Sequence, residues 1–247
     1  MLTLQDYFAK DYRGEPFRHF HAPHLAALGV VALLNIGLIY FGRTSTPEAL
    51  RIVRYAMTAV LVVNEASWHW WNWQTGQWTI QTMLPLHLCG LMVWSSAVML
   101  VTRSYILYEF LYFLGIGAAS QALLTPDLGN YGFPHFRYFQ TFISHGLLVT
   151  APVYMTLVEG YRPYWASLLH VAVGMNLYML VIMFVNARLG SNYLFVARKP
   201  DTPSLIDVLG PWPWYILSLE SIGLVLSLLL YAPFAIGDWM GLAGLSR

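Results

Sequence analysis

Charge is scarce in this chain: thirteen Lys and Arg and twelve Asp and Glu among 247 residues, or 10%. A soluble domain carries about 25%, so there is too little charge here to coat a water-facing surface. Cysteine occurs once, at Cys89, which excludes an internal disulfide and a CxxC-type metal site. The net charge of +1 argues against nucleic acid as a partner, because phosphate backbones select strongly basic surfaces. No repeat with a period of about 20–50 residues is visible, so residues 1–247 read as a single domain. Residues 1–20 hold Asp6, Lys10, Asp11, Arg13, Glu15 and Arg18 and no apolar core; no cleaved signal peptide is expected there.

What is present is apolar. Hydrophobic residues make up 57% and the mean hydropathy is +0.54. Runs of about 20 apolar residues, each long enough to cross a bilayer, recur along the length. They predict an all-α polytopic membrane protein, a bundle of about seven transmembrane helices at 22–41, 52–71, 79–101, 104–125, 135–158, 164–186 and 212–236. Short connections, such as Thr102-Arg103 and "EGYRP" (159–163), require antiparallel neighbours. The loops on the other side are richer: "NWQTGQ" (72–77), "PDLGNYGFP" (126–134) and the stretch 187–211, with Pro200, Pro203 and Pro211. That stretch is expected to be an ordered aromatic cap over the helix mouths. Tryptophans crowd the helix ends, as belt residues do. Arg43, Arg51, Arg54, Arg103 and Arg162 flank the short loops, so the chain is expected to lie in the cell membrane with its N-terminus outside and its C-terminus inside.

Ionisable residues inside spans usually face the bundle interior or a wet cavity. Depth follows from a rise of about 1.5 Å per residue, counted from the rich-loop side. Glu65 and His69 lie near that end of the second span, and His87 lies about a dozen ångströms down the third. Gln121 closes the fourth. Gln140, Ser144 and His145 occupy the first half of the fifth, Asn186 ends the sixth, and Glu220 lies about two turns into the seventh. These residues point to one polar site in one half of the membrane. Glu65 and His69, spaced i,i+4, share a helix face. His170 and Asn176 read as interhelical hydrogen-bonding groups, Glu109 as interfacial, and His19, His21 and His24 likewise. Arg137, beside His135, either anchors the fifth span or holds a lipid phosphate through its guanidinium fork. On a continuous helix His87 and Cys89 point about 200° apart, so unless Pro85 breaks that helix they have different jobs, His87 facing the polar cluster and Cys89 packing on a neighbouring helix as a small hydrophobe.

Four stretches, "LPLHLCG", "FPHFRYFQTFISHGLLVTAPVYMT", "GSNYLFVARKP" and "SLIDVLGPWPWYI", together resemble the YwaF-like family of bacterial integral membrane proteins, from about Asn64 to Glu220. The resemblance implies a multi-helix bacterial membrane protein. That family is distantly similar to animal transmembrane proteins proposed to be phospholipid acyltransferases using cysteine and histidine. The likeness carries that histidine role onto His87 and His145.

The leading expectation is a lipid-modifying enzyme of the acyl-transfer or acyl-hydrolysis class, acting on membrane phospholipids. His87 or His145 would be the general base, and Cys89, Ser144 or a lipid hydroxyl the attacking group, with Glu65 and His69 beside them. Arg137, Gln140, Ser144, Gln121, Asn186 and Glu220 would bind substrate, and no cofactor or metal is required. Two other readings stand beside it. One is a metal-dependent membrane hydrolase built on Glu65, His69, His87 and His145. The other is a non-enzymatic carrier or receptor with a polar pocket.

Overall fold

The computed structural model describes residues 5–201 and 204–241; Pro203 lies outside the described residues. Among them the chain forms seven long helices and no strand: α1 (Ala22–Thr44), α2 (Pro47–Gln74), α3 (Leu88–Thr102), α4 (Tyr105–Leu124), α5 (Phe136–Leu157), α6 (Trp165–Leu189) and α7 (Trp214–Trp239). Four of these, α1, α4, α6 and α7, are long and apolar enough to cross a membrane. It is a helical membrane protein.

Local chemistry sets the helix ends. Thr46 caps α2 by accepting the Ala49 N–H, Pro47 opens its first turn, and Glu48 stands where the helix dipole favours an anion. Ser104 caps α4 in the same way. Helix α1 buries only His24, and α7 only Tyr215 and Tyr231; helices this apolar on every side, with so little buried, face lipid. Helix α5 is the opposite case. It buries residues along its whole length, including Gln140, Ser144, Leu148, Ala151 and Met155, and packs on α1, α2, α3 and α4. Pro152 offers no N–H to the Leu148 carbonyl. That carbonyl lies against Gly115, where a β-carbon would come within 3.0 Å, at the end of a π turn in α4 (Leu111–Gly115). The close α4–α5 approach requires glycine there.

The short-loop face is locked by charge. Buried Glu159 takes Arg54 and, at 2.9 Å, Arg103, while Arg54 Nε–H donates to the Leu100 carbonyl at 3.1 Å. Glu109 is buried rather than interfacial: its carboxylate accepts the Ser167 hydroxyl and stands 3.2 Å from His170 Nδ1. Asn176 bonds back to the Ala172 carbonyl of its own helix.

On the opposite face the N-terminal residues form a strap over the ends of α2 and α5. Trp71 Nε1–H donates to the Phe8 carbonyl, the Tyr131 hydroxyl to that of Lys10, and the Phe17 N–H to that of Gly129. His24, expected at the interface, is fully buried, with Nδ1 accepting the Phe20 N–H and Nε2–H donating to the Leu123 carbonyl. His135 works the same way: Nδ1 accepts the Arg137 N–H as the cap of α5, and Nε2–H donates to Ala9. Burial holds the His135 imidazole below its usual range. The unfolded chain therefore takes up this proton more readily, and stability falls as pH drops below about 6.5. Hydrogen exchange across residues 5–17, corrected for intrinsic rate, is expected to be faster at pH 5.5 than at pH 7.5. His135→Asn, which keeps a capping side chain, should remove that difference.

Candidate functional site

The third predicted span needs correcting. Residues 79–87 are turns, and α3 begins only at Leu88. Pro85 explains why: it cannot donate to the Gln81 carbonyl, and it pushes the preceding residue out of helical geometry. His87 is thus the N-cap residue of α3, with extended backbone, and does not lie a dozen ångströms down a helix. His87 and Cys89 do not share a continuous helix, and the 200° separation expected between them does not apply. Gly90 lets the turn close, since a β-carbon there would sit 3.2 Å from the Pro85 Cα.

Non-helical backbone near a membrane needs polar partners, and two tyrosines provide them. Tyr193 takes the Leu84 N–H at 3.0 Å and donates to the Ile80 carbonyl at 2.7 Å; Tyr178 donates to that of Leu86 at 2.9 Å. Tyr193 is in turn fixed by Asn186, whose Oδ1 accepts the Tyr193 N–H and the Ser191 hydroxyl, while Nδ2 donates to the Tyr193 carbonyl. The His87 ring lies edge-on to Tyr193 at 5.0 Å and tilted on Phe195 at 5.2 Å. Leu194 and Phe195 both have left-handed backbone, φ 58° and 55°, which is strained for residues with a β-carbon. The stretch after α6 thus folds over the start of α3.

Glu65 is buried on α2, with His69 Nε2 3.5 Å from its Oε1. Trp78 Nε1–H donates to His69 Nδ1 at 3.0 Å, so the His69 proton sits on Nε2 and faces the carboxylate. A pocket of about 420 Å³ opens beside this relay, lined by His69, Trp70, Trp73, Gln74 and Trp78. Cys89 is the second residue of α3 and packs on the main core. Register sets it level with Glu65. Arg54 of α2 bonds to Leu100 of α3, and counting about sixteen ångströms up each helix from that bond reaches Glu65 on one and Cys89 on the other.

Helix α5 brings a polar stripe to the same level. Asn64 Nδ2–H donates to the Gln140 carbonyl at 3.1 Å. Gln140 Oε1 accepts from Arg137 Nη1, whose guanidinium lies 3.8 Å over the Trp68 ring. Ser144 is buried just below. His145 Nδ1–H donates to the Thr141 carbonyl at 2.9 Å; a carbonyl only accepts, so Nε2 is left as the basic nitrogen. Its Cα is deeper than that of Gln140 by more than a helical turn, and side chains on α5 tilt back towards its N-terminus.

The remaining two candidates lie on α4 and α7. Gln121 has an exposed side chain, and Glu220 is half-buried on α7, which packs on α4 and α6. Among the described residues no three His, Cys, Asp or Glu side chains converge closely enough to hold a metal ion, so Glu65, His69, His87 and His145 do not form a metal-ligand set. The groups that hold the site together, Asn64, Trp68, Trp78 and Tyr193, were not singled out as site residues. Asn64 beside Glu65 in an apolar span was the one direct signal.

Comparison with known proteins adds the family. The sequence model of the TMEM164 family matches residues 17–231, most of the chain. This chain belongs to the TMEM164 family. A protein of Treponema pallidum (strain Nichols), described as uncharacterized, is 32% identical over 151 residues, which are 61% of this chain and 62% of that relative. The match thus spans less than two thirds of the relative's length. No solved structure matches. The TMEM164 family match covers every candidate site residue from Glu65 to Glu220.

Proposed function

We propose that this protein is a lipid-modifying enzyme of the acyl-transfer or acyl-hydrolysis class, with membrane phospholipids as substrates. The observation that carries the reading is the position of Cys89: the second residue of a helix whose start has no side-chain cap, at the level of Glu65 and of the α5 stripe. The free first-turn N–H groups there are donors for a developing oxyanion. His145 Nε2 is assigned as the base and Gln140 as a positioning group. His87, held by Tyr193, orders the entry to α3.

The chemistry balances as two displacements. The Cys89 thiol gives its proton to the base while sulfur attacks the ester carbonyl of a phospholipid. The C–O bond breaks, and the leaving alkoxide takes that proton as a lysolipid hydroxyl. A second lipid hydroxyl, or water, then gives its proton to the base and attacks the thioester carbonyl; the C–S bond breaks, the new ester or free fatty acid leaves, and the thiolate takes that proton from the base. The resemblance to the YwaF-like family, and through it to proposed phospholipid acyltransferases, supports this class. The arginines that flank the short loops support a topology with the rich-loop face, and the site, outside the cell.

A trapping experiment tests the nucleophile. Intact-protein mass spectrometry after incubation with phospholipid is expected to find one acyl adduct on wild type, released by neutral hydroxylamine and absent in Cys89→Ala. A hydroxylamine-stable adduct that persists in Cys89→Ala and disappears in Ser144→Ala would instead make Ser144 the attacking group.

A further inference from the structure

We propose that the pocket between the N-terminal strap and the loop after α4 binds a phosphodiester, the headgroup phosphate of a membrane glycerophospholipid. This cavity of about 500 Å³ is lined by Lys10, Arg13 and Arg137 among its basic groups and by Asp11 and Asp127 among its acidic ones. Five charges leave one net positive, which matches a monoanionic phosphodiester and not a polyanion such as a nucleotide. Lys10 and Arg13 are exposed at the rim, while Arg137 stands at the floor. Its position is built rather than incidental: the guanidinium rests 3.8 Å over Trp68, and Nη1–H donates to Gln140 Oε1 at 2.5 Å. That contact uses one of five donors, and the fork geometry suits two phosphate oxygens. The His135 cap holds the first turn from which Arg137 projects.

The pocket also lies at the right place for a lipid. Arg137, Gln140, Thr141, Ser144 and His145 recur every three or four residues and so form one stripe of α5. A phosphate at Arg137 puts the glycerol esters on the side of Gln140 and His145, deeper in the membrane. This orientation rests on the acyl-transfer reading; binding itself does not, and is measured without turnover.

The test is calorimetric binding to the full chain in detergent, with three probes: dihexanoylphosphatidylglycerol, dihexanoylglycerol and inorganic phosphate. The phospholipid is expected to bind at least tenfold tighter than the diacylglycerol, with affinity falling as salt rises. Arg137→Gln should weaken it about tenfold, and Arg13→Gln several-fold, while Arg188→Gln, away from the pocket, should not change it. If Arg137→Gln fails to fold, Lys10→Gln with Arg13→Gln on the strap carries the test, with an expected loss of about tenfold. Equal affinity for phospholipid and diacylglycerol overturns the site, as does full affinity in the folded Arg137→Gln or the double variant. Inorganic phosphate binding as tightly as the lipid overturns the lipid assignment in favour of a free-anion site. Turnover that fails while headgroup binding persists removes the acyl-transfer reading and leaves this site standing.

Discussion

Glu159→Ala is expected to destabilise the protein by about 3–5 kcal/mol, the range for removing one partner of a buried ion pair. The Glu159 side chain is 6% exposed and that of Arg54 9%, so the substitution strands a guanidinium in the core. Arg103, half exposed at 50%, has water as an alternative, and Arg103→Ala should cost about 1 kcal/mol or less. Arg54→Ala with Glu159→Ala should cost less than the sum of the two, because the second change removes a charge the first left unpaired. Unfolding in detergent, followed by circular dichroism, measures all four. A loss below about 1 kcal/mol for Glu159→Ala would mean that the cluster is solvated. The consequence reaches the site, because Arg54 also bonds to the Leu100 carbonyl and sets the α2–α3 register that brings Glu65 level with Cys89.

The second large effect is on chemistry. His145→Ala is expected to lower lipid turnover by about 10²–10⁴-fold, the usual contribution of a general base, with little change in melting temperature. Its ring makes one hydrogen bond, to the Thr141 carbonyl of its own helix, so its loss removes no interhelical tie. Tyr193→Phe separates positioning from folding in the same assay. It deletes the hydroxyl that holds Ile80 and Leu84 but keeps the ring against His87. Turnover should fall several-fold, with the KM for lipid raised more than kcat is lowered. Unchanged kinetics in Tyr193→Phe would show that the turn before α3 keeps its shape without this bond.

Hydropathy and loop composition made the seven helices legible, because span length is fixed by membrane thickness and the connecting loops are polar or aromatic. The same hydropathy makes "TIQTMLPLHL" read as span, whereas Pro85, with no N–H to donate and a ring that crowds the preceding residue, interrupts helical geometry there. Glu65, His69, Gln140 and His145 were legible because ionisable groups are rare in spans. Their grouping was not, since register between helices depends on contacts such as Asn64 to Gln140 and Arg54 to Leu100 that no periodicity encodes. Asn186 looked like a ligand-binding amide, yet it holds the Tyr193 backbone. His24 reads as interfacial in the sequence, yet it and His135 are buried structural ties, because imidazole satisfies two backbone groups at once.

Purified protein reconstituted with phospholipids labelled in one acyl chain provides the most direct test. Wild type is expected to release or transfer the label, with turnover lost in Cys89→Ala, cut by at least 10² in His145→Ala, and retained in Arg188→Gln, whose side chain is exposed. No turnover on any lipid class, or turnover that survives both Cys89→Ala and His145→Ala, would contradict the enzymatic account and favour a non-catalytic binding pocket.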